Sequence, residues 1–115
     1  MKFEDLDVWK RSVKLSIELY KQTIELKDFG FRDQITRSGL SVPSNIAEGY
    51  ERESNKELIH FLDYAKASCG ELQTQLIIGK EVGFLNKEFS LAAIQETKEI
   101  SAMLMSLIKT RKSFS

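Results

Sequence analysis

Apolar residues recur along this chain at helical spacing. Leu6, Trp9, Val13, Ile17, Tyr20 and Ile24 fall three or four residues apart, the repeat of one face of an amphipathic helix. A first helix is therefore predicted from Leu6 to Leu26, with Asp5 or Asp7 capping its start. Val8, Leu15, Leu19 and Leu26 widen the apolar surface beyond one stripe, so this helix is expected to touch either two neighbours or a second subunit. Lys27-Asp28-Phe29-Gly30 is expected to end it, the glycine supplying a left-handed exit.

A second helix is predicted from about Phe31 to about Arg52, with a seam of Ile35, Gly39, Val42, Ile46 and Gly49 or Tyr50. Pro43 falls inside it. Proline lacks the amide that would bond the carbonyl of residue 39, and its ring presses on that carbonyl. If Pro43 opened a new helix, Val42 would be its cap, a poor one. The seam crosses the proline without a change of phase, and Gly39 leaves the strained turn room, which favours one helix kinked at Pro43.

Ser54-Asn55-Lys56-Glu57 has the form of a capping box and should start a third helix. Its seam, Leu58, Leu62, Ala65, Cys69, Leu72, Leu76 and Gly79, alternates steps of four and three, the heptad spacing of a shallow bundle crossing. Ala65, Ala67, Ser68, Cys69 and Gly70 thin the middle of this helix, as Ser38, Gly39, Ser41 and Ala47 thin the second, so the two should approach closely. Gly83-Phe84-Leu85 reads as a helix stop, and Asn86 or Ser90 as the cap of a fourth helix. That helix carries Ala93, Ile100, Leu104 and Leu107 on one line, flanked by Ile94, Met103 and Ile108, and should fray near Lys112. Four such segments, with no alternating strand pattern, predict an all-α fold: one antiparallel up-down-up-down four-helix bundle occupying residues 1–115 as a single domain.

Composition agrees: 42% hydrophobic and 30% charged residues, six glycines and one proline suit a helical globular protein. Seventeen basic and seventeen acidic side chains cancel, so no global field draws the chain to nucleic acid or anionic membrane. The only local bias is the tail, where Lys109, Arg111 and Lys112 have no acid after them. One cysteine cannot form an internal disulfide, and the first residues lack the apolar core of a signal peptide. No apolar run approaches the ~20 residues of a membrane span. A cytoplasmic protein is expected.

Candidate chemistry is sparse. Glu57-Leu58-Ile59-His60 matches half of the di-iron carboxylate pattern of helical bundles, but His60 is the only histidine and Glu57 is already explained by its cap. His60 and Asp63 could pair as base and orienter, yet no activated nucleophile lies near. Cys69 sits among small seam residues as a buried structural thiol would. No catalytic residue, metal, cofactor or small-molecule substrate is therefore expected. Polar stripes run beside two seams, Gln34, Arg37, Ser38, Ser41, Asn45, Glu48 and Arg52 on the second helix and His60, Tyr64, Ser68, Glu71 and Gln75 on the third. They are either solvated faces or a packing and assembly network in which Arg37, Asn45, Glu48 and Glu71 hold helices or subunits together. Arg52, Lys109, Arg111 and Lys112 are the candidate nucleic-acid contacts, with Phe114 as a stacking ring; a basic last turn equally suits a helix C-terminus.

With these residues in view, the chain resembles the four-helix-bundle proteins named after intervening sequences in bacterial 23S ribosomal RNA genes. The resemblance runs through Phe3-Glu4-Asp5-Leu6-Asp7-Val8-Trp9-Lys10, Gln34-Ile35-Thr36-Arg37-Ser38, Ser41-Val42-Pro43-Ser44-Asn45-Ile46-Ala47-Glu48-Gly49-Tyr50, Phe61-Leu62-Asp63-Tyr64-Ala65 and Gly70-Glu71-Leu72. It departs at Gly39, where the family usually has alanine, and at Lys66-Ala67-Ser68-Cys69. The resemblance implies a ring-like homo-oligomer, expected as a pentamer, and no catalytic residue. A related branch, the accessory subunits of diversity-generating retroelements, binds reverse transcriptase and nucleic acid and is markedly basic, unlike this neutral chain. The expected role is a non-enzymatic binding scaffold for RNA or an RNA-processing partner. The alternatives are a structural accessory subunit of a protein complex, a reverse transcriptase among them, and a metal-dependent bundle enzyme using Glu57 and His60.

Overall fold

A computed structural model describes residues 2–114. A 3-10 turn at Phe3–Asp5 leads into α1 (Asp7–Thr23), α2 (Phe29–Tyr50), α3 (Asn55–Glu81) and α4 (Lys87–Lys112), and there is no strand among the described residues. Helices adjacent in sequence pack on each other, most extensively α2 on α3 and α3 on α4, and a lighter contact between α1 and α4 closes the bundle. Neighbours run in opposite directions. Asn55 at the start of α3 donates to the carbonyl of Arg111 at the end of α4 at 2.7 Å, and Phe31 at the start of α2 meets Phe84 beyond the end of α3 edge to face. The molecule measures 46 × 21 × 20 Å.

Side chains that satisfy orphan backbone groups set the helix ends. Asp28 caps α2, accepting from the amide of Phe31 at 3.0 Å, so α2 begins at Phe29 and Gly30 lies in its first turn. The predicted left-handed exit at Gly30 is absent: Gly83 is the one glycine with positive φ among the described residues. Ser54 caps α3 by accepting from the amide of Glu57 at 3.1 Å. The Glu57 carboxylate meets the Ser54 hydroxyl at 3.4 Å instead of reaching the backbone. Gly83, at φ +82°, turns the chain after α3 so that the amides of Phe84 and Leu85 bond the Gly79 carbonyl. Leu85 is thereby buried against Gly79, where a Cβ would fall 2.7 Å from Leu85 Cδ1. Asn86 caps α4 through the amide of Phe89 at 2.8 Å.

The seams of α2 and α3 are those read from spacing: Ile35, Gly39, Val42, Ile46 and Gly49, and Leu58 through Gly79, are all buried. The α2 helix runs unbroken through Pro43, itself buried. Gly39 has a further role beyond the turn at Pro43. It faces α1, and a Cβ built there would collide with Leu19 Cδ1. On α4 the core line is Ala93, Thr97, Ile100, Leu104 and Ile108, with Leu107 only partly buried.

The first helix differs from expectation. Its core line is Val8, Ser12, Leu15, Leu19 and Thr23, with Ser16 beside it, whereas Ile17, Tyr20 and Ile24 are 48, 47 and 63% exposed. Two of these buried hydroxyls are satisfied within the helix, Ser12 donating to the Trp9 carbonyl at 2.9 Å and Thr23 to the Leu19 carbonyl at 2.7 Å. Hydroxyls tied back in this way tolerate a core, so the face richest in apolar side chains is left on the outside.

Candidate functional site

Three surfaces carry the groups singled out by sequence. The first is a groove of about 410 Å³ between α1 and α2, lined by Trp9, Val13, Ile17 and Tyr20 on one wall and Leu40, Pro43 and Ala47 on the other. Phe3 closes one end, edge to face with Trp9 at 5.4 Å. Apart from Ser16 and Ser44 its lining is apolar, and Leu40 remains 47% exposed.

The second is a polar cleft of about 400 Å³ between α2 and α3. Ser38 Oγ lies 2.7 Å from Glu71 Oε1 and 3.1 Å from the Gln34 carbonyl, to either of which its single proton can be donated. Deeper along the helices, Asn45 Nδ2 donates to the Ser41 carbonyl and hydroxyl at 2.8 and 2.9 Å, and the Ser41 and Ser68 hydroxyls meet at 2.8 Å. Small side chains let these hydroxyls touch across the helix pair. Of the four candidate network residues, Asn45 and Glu71 thus belong to one strip of contacts joining α2 to α3. Arg37 and Glu48 pair along their own helix instead, Arg37 with Asp33 at 3.3 Å and Glu48 with Arg52 at 2.6 Å.

The third surface is the bundle end where α2 and α4 finish and α3 begins. Arg52 and Arg111 line one cleft of about 310 Å³ with Tyr50, Glu53, Ser54 and Asn55. The Arg52 guanidinium lies 4.9 Å from the centre of the Phe61 ring, and that of Arg111 lies 5.5 and 5.2 Å from the rings of Tyr50 and Phe114. Exposed Lys109 and Lys112 belong to the same last turns of α4. Arginine planes over aromatic faces are held without losing their outward donors.

An ion-pair cluster that no local spacing announces joins α1 to α4. Arg11 Nε donates to Glu96 at 2.8 Å while its Nη2 bridges Glu96 and Glu99, the latter at 2.6 Å. These bonds, first to Glu96 and then to Glu99, raise the guanidinium pKa further. The bond from Arg11, followed by that from Gln95, holds the Glu99 carboxyl below its ordinary value.

The groups with catalytic precedent are dispersed. His60 is exposed with its ring perpendicular to that of Tyr64, and Glu57 is occupied by Ser54. No group of three or more His, Cys, Asp or Glu side chains among the described residues is arranged to hold a metal ion. Cys69 is buried, and desolvation pushes its thiol up from 9.0 to about 12 against a smaller opposing pull from Lys66. A thiol so placed is neutral and poorly nucleophilic at physiological pH. No described helix is long and apolar enough to cross a membrane.

The fold is that of an all-α four-helix bundle bearing an apolar groove, a polar cleft and an arginine-aromatic end. The chain belongs to the 23S rRNA-intervening sequence protein family, whose sequence model matches residues 4–106. A solved structure, a protein of unknown function from the S23 ribosomal protein family of Bacteroides thetaiotaomicron VPI-5482, superposes with a TM-score of 0.83 at 27% identity, covering 89% of this chain and 98% of that one. No curated protein matches.

Proposed function

We propose that this chain is a non-enzymatic cytoplasmic protein that assembles with copies of itself into a ring, a pentamer on the family resemblance, and offers RNA or an RNA-processing protein a repeated surface. The observation that carries this reading is the α1/α2 groove. Trp9, Val13, Ile17, Tyr20 and Leu40 form a continuous apolar face on a helix pair whose other face already fills the core. Contiguous apolar surface of this kind marks an interaction site, and a symmetric assembly of identical chains is the commonest way to cover one.

Assembly also answers the charge problem. One copy presents a small set of cations at the bundle end, Arg52, Lys109, Arg111 and Lys112 with Lys56 at the start of α3, too few phosphate contacts for useful affinity on a neutral protein. A ring multiplies that patch, and linked weak contacts gain affinity steeply. Arg111 between Tyr50 and Phe114 favours unpaired nucleotides, because rings and guanidinium planes stack on exposed bases.

Light scattering after size exclusion tests the assembly: a multiple of the 13.2 kDa chain mass is expected, and a monomer mass at all working concentrations would refute it. Titration with structured RNA at two salt concentrations tests the binding, with affinity falling as salt rises. No shift even at low salt, together with a pull-down that recovers protein free of RNA, would favour the structural accessory subunit.

A further inference from the structure

Exposed apolar surface on this molecule is gathered in two places. The first is the α1/α2 groove, which past Tyr20 opens into a second hollow of about 620 Å³ beside Phe29. The second is a patch made by Ile77, Ile78 and Val82 near the end of α3 and Leu91 near the start of α4. With Ile17, Tyr20, Ile24, Phe29 and Leu40 of the first, these four make nine of the twelve large apolar side chains exposed among the described residues, so the distribution is not a random scatter. The α1 and α3 helices each pack on both α2 and α4, and neither diagonal pair approaches as closely. The α1–α2 layer and the α3–α4 layer are therefore opposite faces of the bundle.

Two copies meeting groove to groove would trap a void between concave surfaces and leave the α3–α4 patch in water. A groove is filled by something that projects, at the close complementarity of a stable interface. Joining opposite faces of identical chains is a heterologous contact, the kind that closes into a ring when the rotation between neighbours permits. In a ring with the helices along its axis every copy points the same way, and side chains at equal heights meet. Ile77 and Leu91 lie about one turn from the ends of their helices, and Tyr20 and Ile17 about one and two turns from the same end of α1.

We propose that the α1/α2 groove of one copy receives the Ile77, Ile78, Val82 and Leu91 patch of the next, so that the two layers alternate around the assembly. This pairing rests on the self-assembly proposed above and specifies which surfaces meet. The α1 helix is about 25 Å long and a helix pair about 20 Å across, which gives the layer a footprint on the order of 500 Å². That is comparable with the ~800 Å² of accessible surface each partner contributes to a stable interface, and far more than a small ligand covers. Charged residues of both signs, Lys80 with Glu81 and Lys87 with Glu88, adjoin the patch in sequence and supply the polar rim that surrounds an apolar centre.

Two classes of variant at exposed positions test the pairing, with mass read by light scattering after size exclusion at the highest soluble concentration. Ile17→Glu, or Tyr20→Glu in its place, disables the groove. Leu91→Glu, or Ile77→Glu in its place, disables the patch, and circular dichroism checks that each variant keeps its helices. Each variant alone is expected at monomer mass. Mixed one to one, Ile17→Glu and Leu91→Glu should form a complex of two chains and nothing larger, because one intact groove and one intact patch remain between them. Patch variants that assemble to the unaltered mass while groove variants do not would mean that groove meets groove, and would overturn the pairing. A mixture that stays monomeric would overturn it too, and either result leaves self-assembly standing. A monomer mass for the unaltered chain would overturn both readings.

Discussion

Leu19 of α1 lies over Gly39 of α2, its Cδ1 occupying the space a Cβ would need. The glycine therefore sets how closely the two helices approach, and the fully buried Leu19 fills what it leaves open. Alanine at 39 gains about 1 kcal/mol of helix propensity but overpacks a site where an extra methyl typically costs 1–3 kcal/mol. Gly39→Ala is expected to lower stability by about 1 kcal/mol net in urea melts. Combining it with Leu19→Ala should show a coupling that makes the double variant more stable than the sum of the two singles.

Pro43 is buried inside α2 and denies the Gly39 carbonyl its usual donor. Pro43→Ala restores that amide and relieves the ring's pressure, worth about 3 kcal/mol in a helix interior, while giving up part of the ring's apolar burial. A gain of about 1 kcal/mol is expected, read as a higher thermal midpoint with the helical circular dichroism retained.

Asn45 and Glu48 should part company. Asn45 is half-buried and bonds Ser41, which itself reaches Ser68 on α3; Asn45→Ala is expected to cost about 1 kcal/mol. The Glu48 side chain is 53% exposed and paired only with Arg52 along the same helix, and Glu48→Ala should change stability by less than about 0.5 kcal/mol. Equal effects of the two on the melting midpoint would refute this assignment.

The Arg11 cluster predicts an acid sensitivity. Because Arg11 and Gln95 hold the Glu99 carboxyl below its ordinary value, its contribution is present above the carboxylate's unfolded pKa and is lost as pH falls through the lower folded one. Arg11→Met should remove that part of the acid slope. At neutral pH it should cost no more than about 1 kcal/mol, since the Arg11 and Glu96 side chains are 35 and 30% exposed and screened by solvent. Melts of the two proteins from pH 7 to pH 3 read both effects.

Cys69 gives the opposite sign at high pH. Its thiol is neutral in both states below its unfolded pKa, so its contribution is intact there. Stability falls once the unfolded thiol ionises near pH 9.0, and the loss runs to completion at about 12. At pH 8 a disulfide reagent should react slowly with the native chain and rapidly in denaturant. Rapid native reaction would refute the burial.

The seams of α2 and α3 were legible because their core positions are nearly all apolar or glycine, so spacing and burial coincide. The first helix was misread for a physical reason: Ser12, Ser16 and Thr23 are buried in its core, while Trp9, Ile17 and Tyr20 form the more hydrophobic face. Gly30 reads as an exit in the sequence, but Asp28 two residues before it is the cap of the next helix and places the glycine inside α2. Within the polar strip, Arg37 and Glu48 each have an opposite charge four residues away, Asp33 and Arg52, and that spacing was the signal for their pairing. Arg11 and Glu96 are 85 residues apart, and only the closure of the bundle brings them together.

The serine-lined inner edge of α1 bears on how the chain chooses between two ways of docking its first helix. Hydrophobicity alone favours turning Trp9, Ile17 and Tyr20 inward, but that rotation would withdraw Leu19 from the space beside Gly39 that it fills. The fit of one leucine to one glycine opposes transfer free energy in setting the rotation of α1. Shortening the side chain that fills this space, as Leu19→Ala would, should erode that discrimination and let a rotated arrangement compete, withdrawing the aromatic face from solvent and from any partner at once.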